Sequence, residues 1–184
     1  LIPLCLHPVG VGLLFALGAL AATAQASASI AGEREQKVFD TLVSTALTPR
    51  AIVYGKLLGL VSGLKLLWLA SALGLGVHLA FALLQGDGKA TELMVWAAGE
   101  LSAALLLVGL ALHASCASPS PAKAMTRTLL FGFMAVAPPF LAQSSWGLPG
   151  GFWLLVILAW AGLGLLLITT LPARFTRFAS CVPA

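Results

Sequence analysis

Residues 93–116 read LMVWAAGELSAALLLVGLALHASC, and Glu100 is the sole charge among them. A helix rises 1.5 Å per residue, so this stretch is about 36 Å long, enough to cross a hydrocarbon core of roughly 30 Å. Four other apolar stretches of comparable length lie at 8–28, 57–84, 125–144 and 151–172. Pro138 and Pro139 break the outer end of the 125–144 stretch, where a kink or re-entrant turn is expected. No segment alternates apolar and polar residues with period two, which excludes a β-barrel. Composition points the same way. Of 184 residues, 60% are hydrophobic and 9% charged, with a mean hydropathy of +1.02, whereas a soluble domain carries about 25% charged residues. Five spans with short connections leave no room for a large soluble catalytic domain. The expected fold is all-α, a polytopic bundle of about five membrane-spanning helices forming one domain over residues 1–184.

The basic residues set the expected orientation. Arg34, Lys37, Arg50 and Lys56 lie in the first loop, Lys123 and Arg127 in the third, and Arg174 and Arg177 in the tail. Of the ten basic residues, these eight fall on one side, Lys89 falls on the other, and Lys65 lies inside a span. The positive-inside rule then places 29–56, 117–126 and 173–184 in the cytoplasm. Trp146 and Trp153 fit an outer aromatic belt, and lipid packing explains them equally well. Residues 9–29 also resemble a secretory signal ending in small residues, but no basic segment precedes them. Cleavage there would also leave the four first-loop cations outside, so a retained span is expected. Because the chain starts at Leu1 rather than Met, it is expected to be incomplete at its amino terminus. Cys5, Cys116 and Cys181 have no metal-ligand spacing and form no disulfide framework; they read as small buried or tail residues.

The polar segment 30–56, IAGEREQKVFDTLVSTALTPRAIVYGK, is long enough to have structure of its own. Phe39, Leu42, Val43, Ala46 and Leu47 recur at the spacing of an amphipathic helix, with Asp40, Thr41, Ser44 and Thr45 on the opposite face. Glu33 and Glu35 fall where its first turn is expected, favoured by the positive end of the helix dipole. Pro49 ends this helix, and Thr48 is expected to cap the next one with Pro49 at its first position. Such a helix is either a passive interfacial element or a lever that docks another protein. Periodicity alone does not choose between them.

The stretch EREQKVFDTLVSTALTPRAIVYGKLLG resembles the cytoplasmic signature of type-2 ATP-binding-cassette transporter permeases. The matching positions are Glu33, Arg34 and Glu35, then Thr41, Leu42, Thr45 and Leu47, then Ile52, Gly55, Lys56 and Gly59. One departure is local: the family often reads T-P-L where this chain has Thr45-Ala46-Leu47, with its proline at 49. The resemblance implies a cytoplasmic coupling segment at 30–56, in which Glu33, Arg34, Glu35, Phe39, Thr41, Leu42, Thr45, Leu47, Thr48 and Pro49 contact a cytoplasmic ATP-binding subunit. It implies that ATP and Mg are held on that subunit, with no cofactor or metal on this chain, which is then a transport subunit rather than an enzyme. It further implies a second permease domain as homo- or heterodimer partner, surrounding membrane lipid, no nucleic-acid partner, and a place in a plasma membrane of bacterial inner-membrane type. Family permeases have six spans with the coupling segment between the second and third. The one span before the segment here implies that the family's first is missing. The strong match covers about 27 residues; elsewhere the likeness is in hydropathy and topology.

Other chemistries fare less well. There is no G-x-x-x-x-G-K-[ST] phosphate loop, so any ATPase must be another polypeptide. Ser62 and His78 share the second stretch, but sixteen residues on one helix separate them by about 24 Å, too far for a catalytic dyad. Ser62 reads instead as a small packing residue with Gly59 and Gly63. His78 and His113 sit at opposite depths, and His7 with His78 makes one weak pair; each histidine reads as a polar residue hydrogen-bonded between helices. Lys65 reads as an interfacial anchor. Glu100, an intramembrane carboxylate, is a candidate for a translocation path and is expected to face the bundle interior or a dimer cavity. A static membrane scaffold using the same amphipathic segment as a dock is the alternative to transport. An intramembrane enzyme would need polar residues converging at one depth, and none do.

Overall fold

In a computed structural model, residues 8–35, 48–85, 89–146 and 150–179 are described. They form six helices and no strand: α1 (Pro8–Glu35), α2 (Pro49–Gly63), α3 (Lys65–Gln85), α4 (Lys89–Ala117), α5 (Pro121–Trp146) and α6 (Gly150–Ala179). Three segments are long and apolar enough to cross a membrane, Leu13–Glu33, Leu93–Ala117 and Phe152–Arg174. Among the described residues, the bent pair α2–α3 adds a fourth if taken as one span.

Two expected boundaries are corrected. The stretch 57–84 is not one helix: Arg50–Gly63 and Trp68–Phe81 meet at 60°. The break falls at Leu64, with φ −105° and ψ 10°, just after the Ser62-Gly63 pair. Ser62 Oγ donates to Gly59 O at 3.1 Å, and glycine holds helix weakly, so this pair is where a kink is cheapest. The first span does not stop near residue 28. Nothing between Ala28 and Glu35 breaks a helix, so α1 runs on through Glu33 and Glu35. At 28 residues α1 is about 42 Å long, more than the hydrocarbon core needs. The helix assignment of α5 also continues through Pro138 and Pro139, which only withdraw the N–H donors owed to the carbonyls of Met134 and Ala135.

α4 is the centre of the bundle and packs against α6, α1, α5 and α3. The closest approach of backbone to backbone at the described glycines is with α6. A Cβ on Gly164 would lie 2.9 Å from Leu106 N and 3.0 Å from Leu105 C, and one on Gly109 would lie 3.1 Å from Gly164 O. Only residues without a side chain allow these two backbones to meet, the device by which membrane helices gain van der Waals contact. The remaining core joins Ala22, Ala26 and Ile30 of α1, Val53 of α2, Leu112 of α4 and Leu171 of α6.

The surface is inverted relative to a water-soluble protein. Leu17, Leu58, Leu69, Leu73, Phe133 and Leu155 are among many large apolar side chains that face outward. Thr23, Ser27, Ser71, Ser102, His113, Ser115, Ser118 and Thr128 are buried. Several of these hydroxyls donate to carbonyls of their own helix, Thr23 to Ala19 at 2.6 Å, Ser102 to Gly99 and Thr128 to Ala124, both at 2.9 Å. Hydroxyls bonded within their own helices and leucine turned outward fit a helical integral membrane protein.

Candidate functional site

The chain leaves α1 at Glu35 and is described again at Thr48. Thr48 is extended, with φ −70° and ψ 147°, and its Oγ1 accepts from Ala51 N at 3.3 Å while Pro49 stands in the first turn of α2. The expected cap therefore forms, and for the expected reason: a threonine acceptor satisfies a donor that the helix start leaves open. Phe39, Thr41, Leu42, Thr45 and Leu47, which carry the expected amphipathic helix, lie outside the described residues.

The helices on either side of this segment are joined. Lys56 of α2 reaches back to α1 and donates to Glu33 Oε1 at 2.6 Å and to Ser29 O at 3.0 Å. Both side chains are partly withdrawn from solvent, Lys56 to 14% and Glu33 to 27% exposure, so the pair is less screened than a surface ion pair. Glu33 Oε2 is buried without a hydrogen-bond partner among the described residues. Beneath the pair lies a cavity of about 130 Å³ lined by Gln25, Ser29, Lys56, Leu60 and Leu112. Lys56, Ser29 and Gln25 are the polar residues of its lining.

The same turn of α1 is held from its other side. Ser115 of α4, fully buried, accepts from Ile30 N at 3.1 Å and from Ala31 N at 2.9 Å. A Cβ on Gly32 would lie 3.8 Å from Pro121 Cγ, so the turn also packs on the start of α5. Two residues from Ser115, His113 Nε2 is 2.6 Å from Leu167 O of α6, and Thr170 Oγ1 is 3.5 Å from the same nitrogen. Arg127 of α5 donates to Ala117 O at 3.3 Å and to Ser118 Oγ at 3.2 Å, closing the end of α4. These contacts bring the ends of α1, α2, α4, α5 and α6 that bear Glu33, Lys56, Lys123, Arg127 and Arg174 to one end of the bundle.

No protein-family model, curated protein or solved structure matches this chain.

Of the residues expected at the coupling site, Glu33 and Thr48 have the contacts above. Arg34 and Glu35 share the last turn of α1 with Glu33, and Pro49 starts α2. Of the other motif positions on α2, Ile52 is buried, while a Cβ on Gly55 or Gly59 would meet nothing within 4 Å. The packing role expected of Ser62 and Gly59 is therefore corrected: Ser62 is exposed, Gly59 faces open space, and on Gly63 a Cβ would find only Gln25 Oε1 at 3.5 Å. Those small residues weaken the helix and let it bend. His113 does bridge two helices, but His78 does not: its Nδ1 meets Gly74 O of its own helix at 2.8 Å. The straight-helix spacing of Ser62 and His78 no longer holds, yet each is bonded to its own helix and not to the other. Lys65 is exposed and opens α3 beside the break. Glu100 is half-buried on α4, one residue beyond Gly99, where a Cβ would lie 3.9 Å from Ile157 Cγ1 of α6. No three His, Cys, Asp or Glu residues converge among the described residues.

Ser29, Gln25 and Ser115 were not anticipated. For Ser29 a signal existed, because Ser29 and Glu33 are four residues apart and share one face of a continuous helix. For Ser115 the only hint was a small hydroxyl in an apolar run, a frequent choice where membrane helices touch.

Proposed function

We propose that this chain is the membrane-spanning permease subunit of an ATP-driven transporter of the type-2 ATP-binding-cassette class, acting as an exporter in a bacterial inner membrane. The observation that carries the reading is the placement of the E-R-E to G-K motif. Glu33 and Lys56, both motif positions, are joined at 2.6 Å, so α1 and α2, which flank the segment, are tied to each other. A loop anchored this way delivers force instead of dissipating it. A cytoplasmic subunit that holds ATP and Mg would push on the 33–48 segment as it closes. The Thr48-Pro49 cap would pass the push to α2, and the last turn of α1 would pass it to the rest of the bundle. Alternating access would follow between this domain and a second permease domain paired with it. Glu100 is assigned to the translocation path, because its half-buried carboxyl has no hydrogen bond or ion pair among the described residues.

Replacing Glu33 and Glu35 together with Ala is expected to abolish co-purification with an ATP-binding subunit encoded beside this chain, while membrane insertion is retained. Lys56→Ala, which breaks the ion pair but spares both carboxylates, is expected to keep that co-purification. Retained binding in the double variant overturns the docking role, and recovery of a partner without a phosphate-binding loop favours a static scaffold. In the reconstituted complex, Glu100→Gln is expected to lower transport on the order of tenfold, the equivalent of about 1.4 kcal/mol. Unaltered transport removes Glu100 from the path.

A further inference from the structure

Among interior contacts, the grip on residues 29–33 stands out because it is made largely to main chain. In a helix interior, the N–H groups of Ile30 and Ala31 belong to the carbonyls of Ala26 and Ser27. Here both also donate to Ser115 Oγ, at 3.1 and 2.9 Å, so a hydroxyl of α4 has entered the hydrogen-bond ladder of α1. The carbonyl of Ala26 meanwhile accepts from Ser29 Oγ at 2.8 Å, and that of Ser29 accepts from Lys56 Nζ at 3.0 Å. The turn that carries Glu33 is thus bonded to α4 on one side and α2 on the other. α4 is tied onward as well, since His113, two residues before Ser115, reaches Leu167 O of α6 at 2.6 Å.

We infer that Ser115 is a positioning residue for transport, the joint through which displacement of the last turn of α1 is carried into α4 and from there into α6. This role rests on the permease reading, because it assigns a route to movement that begins at the 33–48 segment. It goes beyond that reading by placing the route through two main-chain N–H groups and one hydroxyl that lie outside the matched motif positions. The route is mechanically direct. Side chains rotate about several bonds, whereas a hydroxyl bonded to two successive peptide groups cannot shift without moving the helix axis.

The test uses the full chain in lipid nanodiscs, alone and in complex with its ATP-binding subunit. In the chain alone, amide hydrogen exchange across residues 26–33 reads the joint directly. Ser115→Ala is expected to speed exchange at Ile30 and Ala31 roughly five- to tenfold, the loss expected for one such acceptor, and to leave α3 unchanged. Ser115→Cys, which keeps volume but is a weak acceptor, is expected to behave like Ala, separating the hydrogen bond from packing. Unchanged exchange in both variants overturns the joint. In the complex, Ser115→Ala is expected to keep subunit binding and ATP hydrolysis while lowering substrate moved per ATP on the order of tenfold. Undiminished transport per ATP overturns the positioning role even if exchange rises. Failure of the unaltered chain to bind any ATP-binding subunit overturns the permease reading and the role with it, and leaves the exchange result to stand for the joint alone.

Discussion

Lys56 has three N–H donors, and two are engaged, one by the Glu33 carboxylate and one by the Ser29 carbonyl. Removing the ammonium leaves a partly buried carboxylate and a main-chain acceptor without their donor. Lys56→Ala is therefore expected to destabilise the chain by about 1.5–3 kcal/mol, read as a lower unfolding midpoint in mild detergent. The exchange Glu33→Lys with Lys56→Glu restores the charge pair but not the bond to Ser29, so partial recovery is expected. No recovery would mean that the position of each charge, and not their attraction, matters. The types of these residues were legible: an acidic and a basic group flank a polar segment at its start and end. Their pairing was not, because nothing in a one-dimensional pattern says that the ends of a loop are brought together. Thr48 is the opposite case. Its capping depends on residues 48–51 alone, and local chemistry sufficed.

At the scale of elements, apolar runs located the helices, and small residues decided how they bend and meet. Glycine appears in both roles, and its neighbours tell the roles apart. Gly63 follows Ser62 on an exposed helix face, and the helix breaks one residue later. Gly164 faces α4, and there the backbones touch. The two positions look alike in a hydropathy pattern, which is why the packing glycines were expected on α2 and are found between α4 and α6. Gly164→Leu would drive a side chain into the backbone of Leu105 and Leu106, which cannot yield as a flexible side chain does. Destabilisation of at least about 1–3 kcal/mol is expected, read as a lowered unfolding midpoint in detergent. The same substitution at Gly59, which faces open space, is expected to have a much smaller effect. Equal effects would show that the α4–α6 approach is not the tightest contact. The end of α1 was misplaced for a related reason. Residues 28–35 turn polar, and polarity marks where a helix leaves a membrane, not where it stops being a helix.

For the whole molecule, turning hydroxyls inward and leucines outward makes sense only in an apolar solvent. Burying leucine gains nothing when lipid surrounds it, so cohesion comes from close packing and from interior hydrogen bonds. The basic residues predict which end faces the cytoplasm, and the contacts among α1, α2, α4, α5 and α6 gather most of them at one end. Single cysteines at Ser44 and Ser145, in a chain with Cys5, Cys116 and Cys181 replaced, test this in sealed cells. A membrane-impermeant reagent is expected to label position 145 and spare position 44. Labelling of both or neither contradicts the orientation.

By itself the sequence determined an all-helical chain with apolar stretches suited to lipid, the uneven distribution of its charges, and a segment whose motif resembles a coupling element. These properties follow from composition and from interactions within a few residues of one another. Only the tertiary structure decided that Glu33 meets Lys56, that Ser115 holds the turn of α1 at Ile30 and Ala31, that the second stretch is bent, and that the backbones of α4 and α6 meet at Gly109 and Gly164. Each of those joins residues far apart in the chain or turns on what faces a small residue, and the physical cause lies in space rather than in the order of the chain.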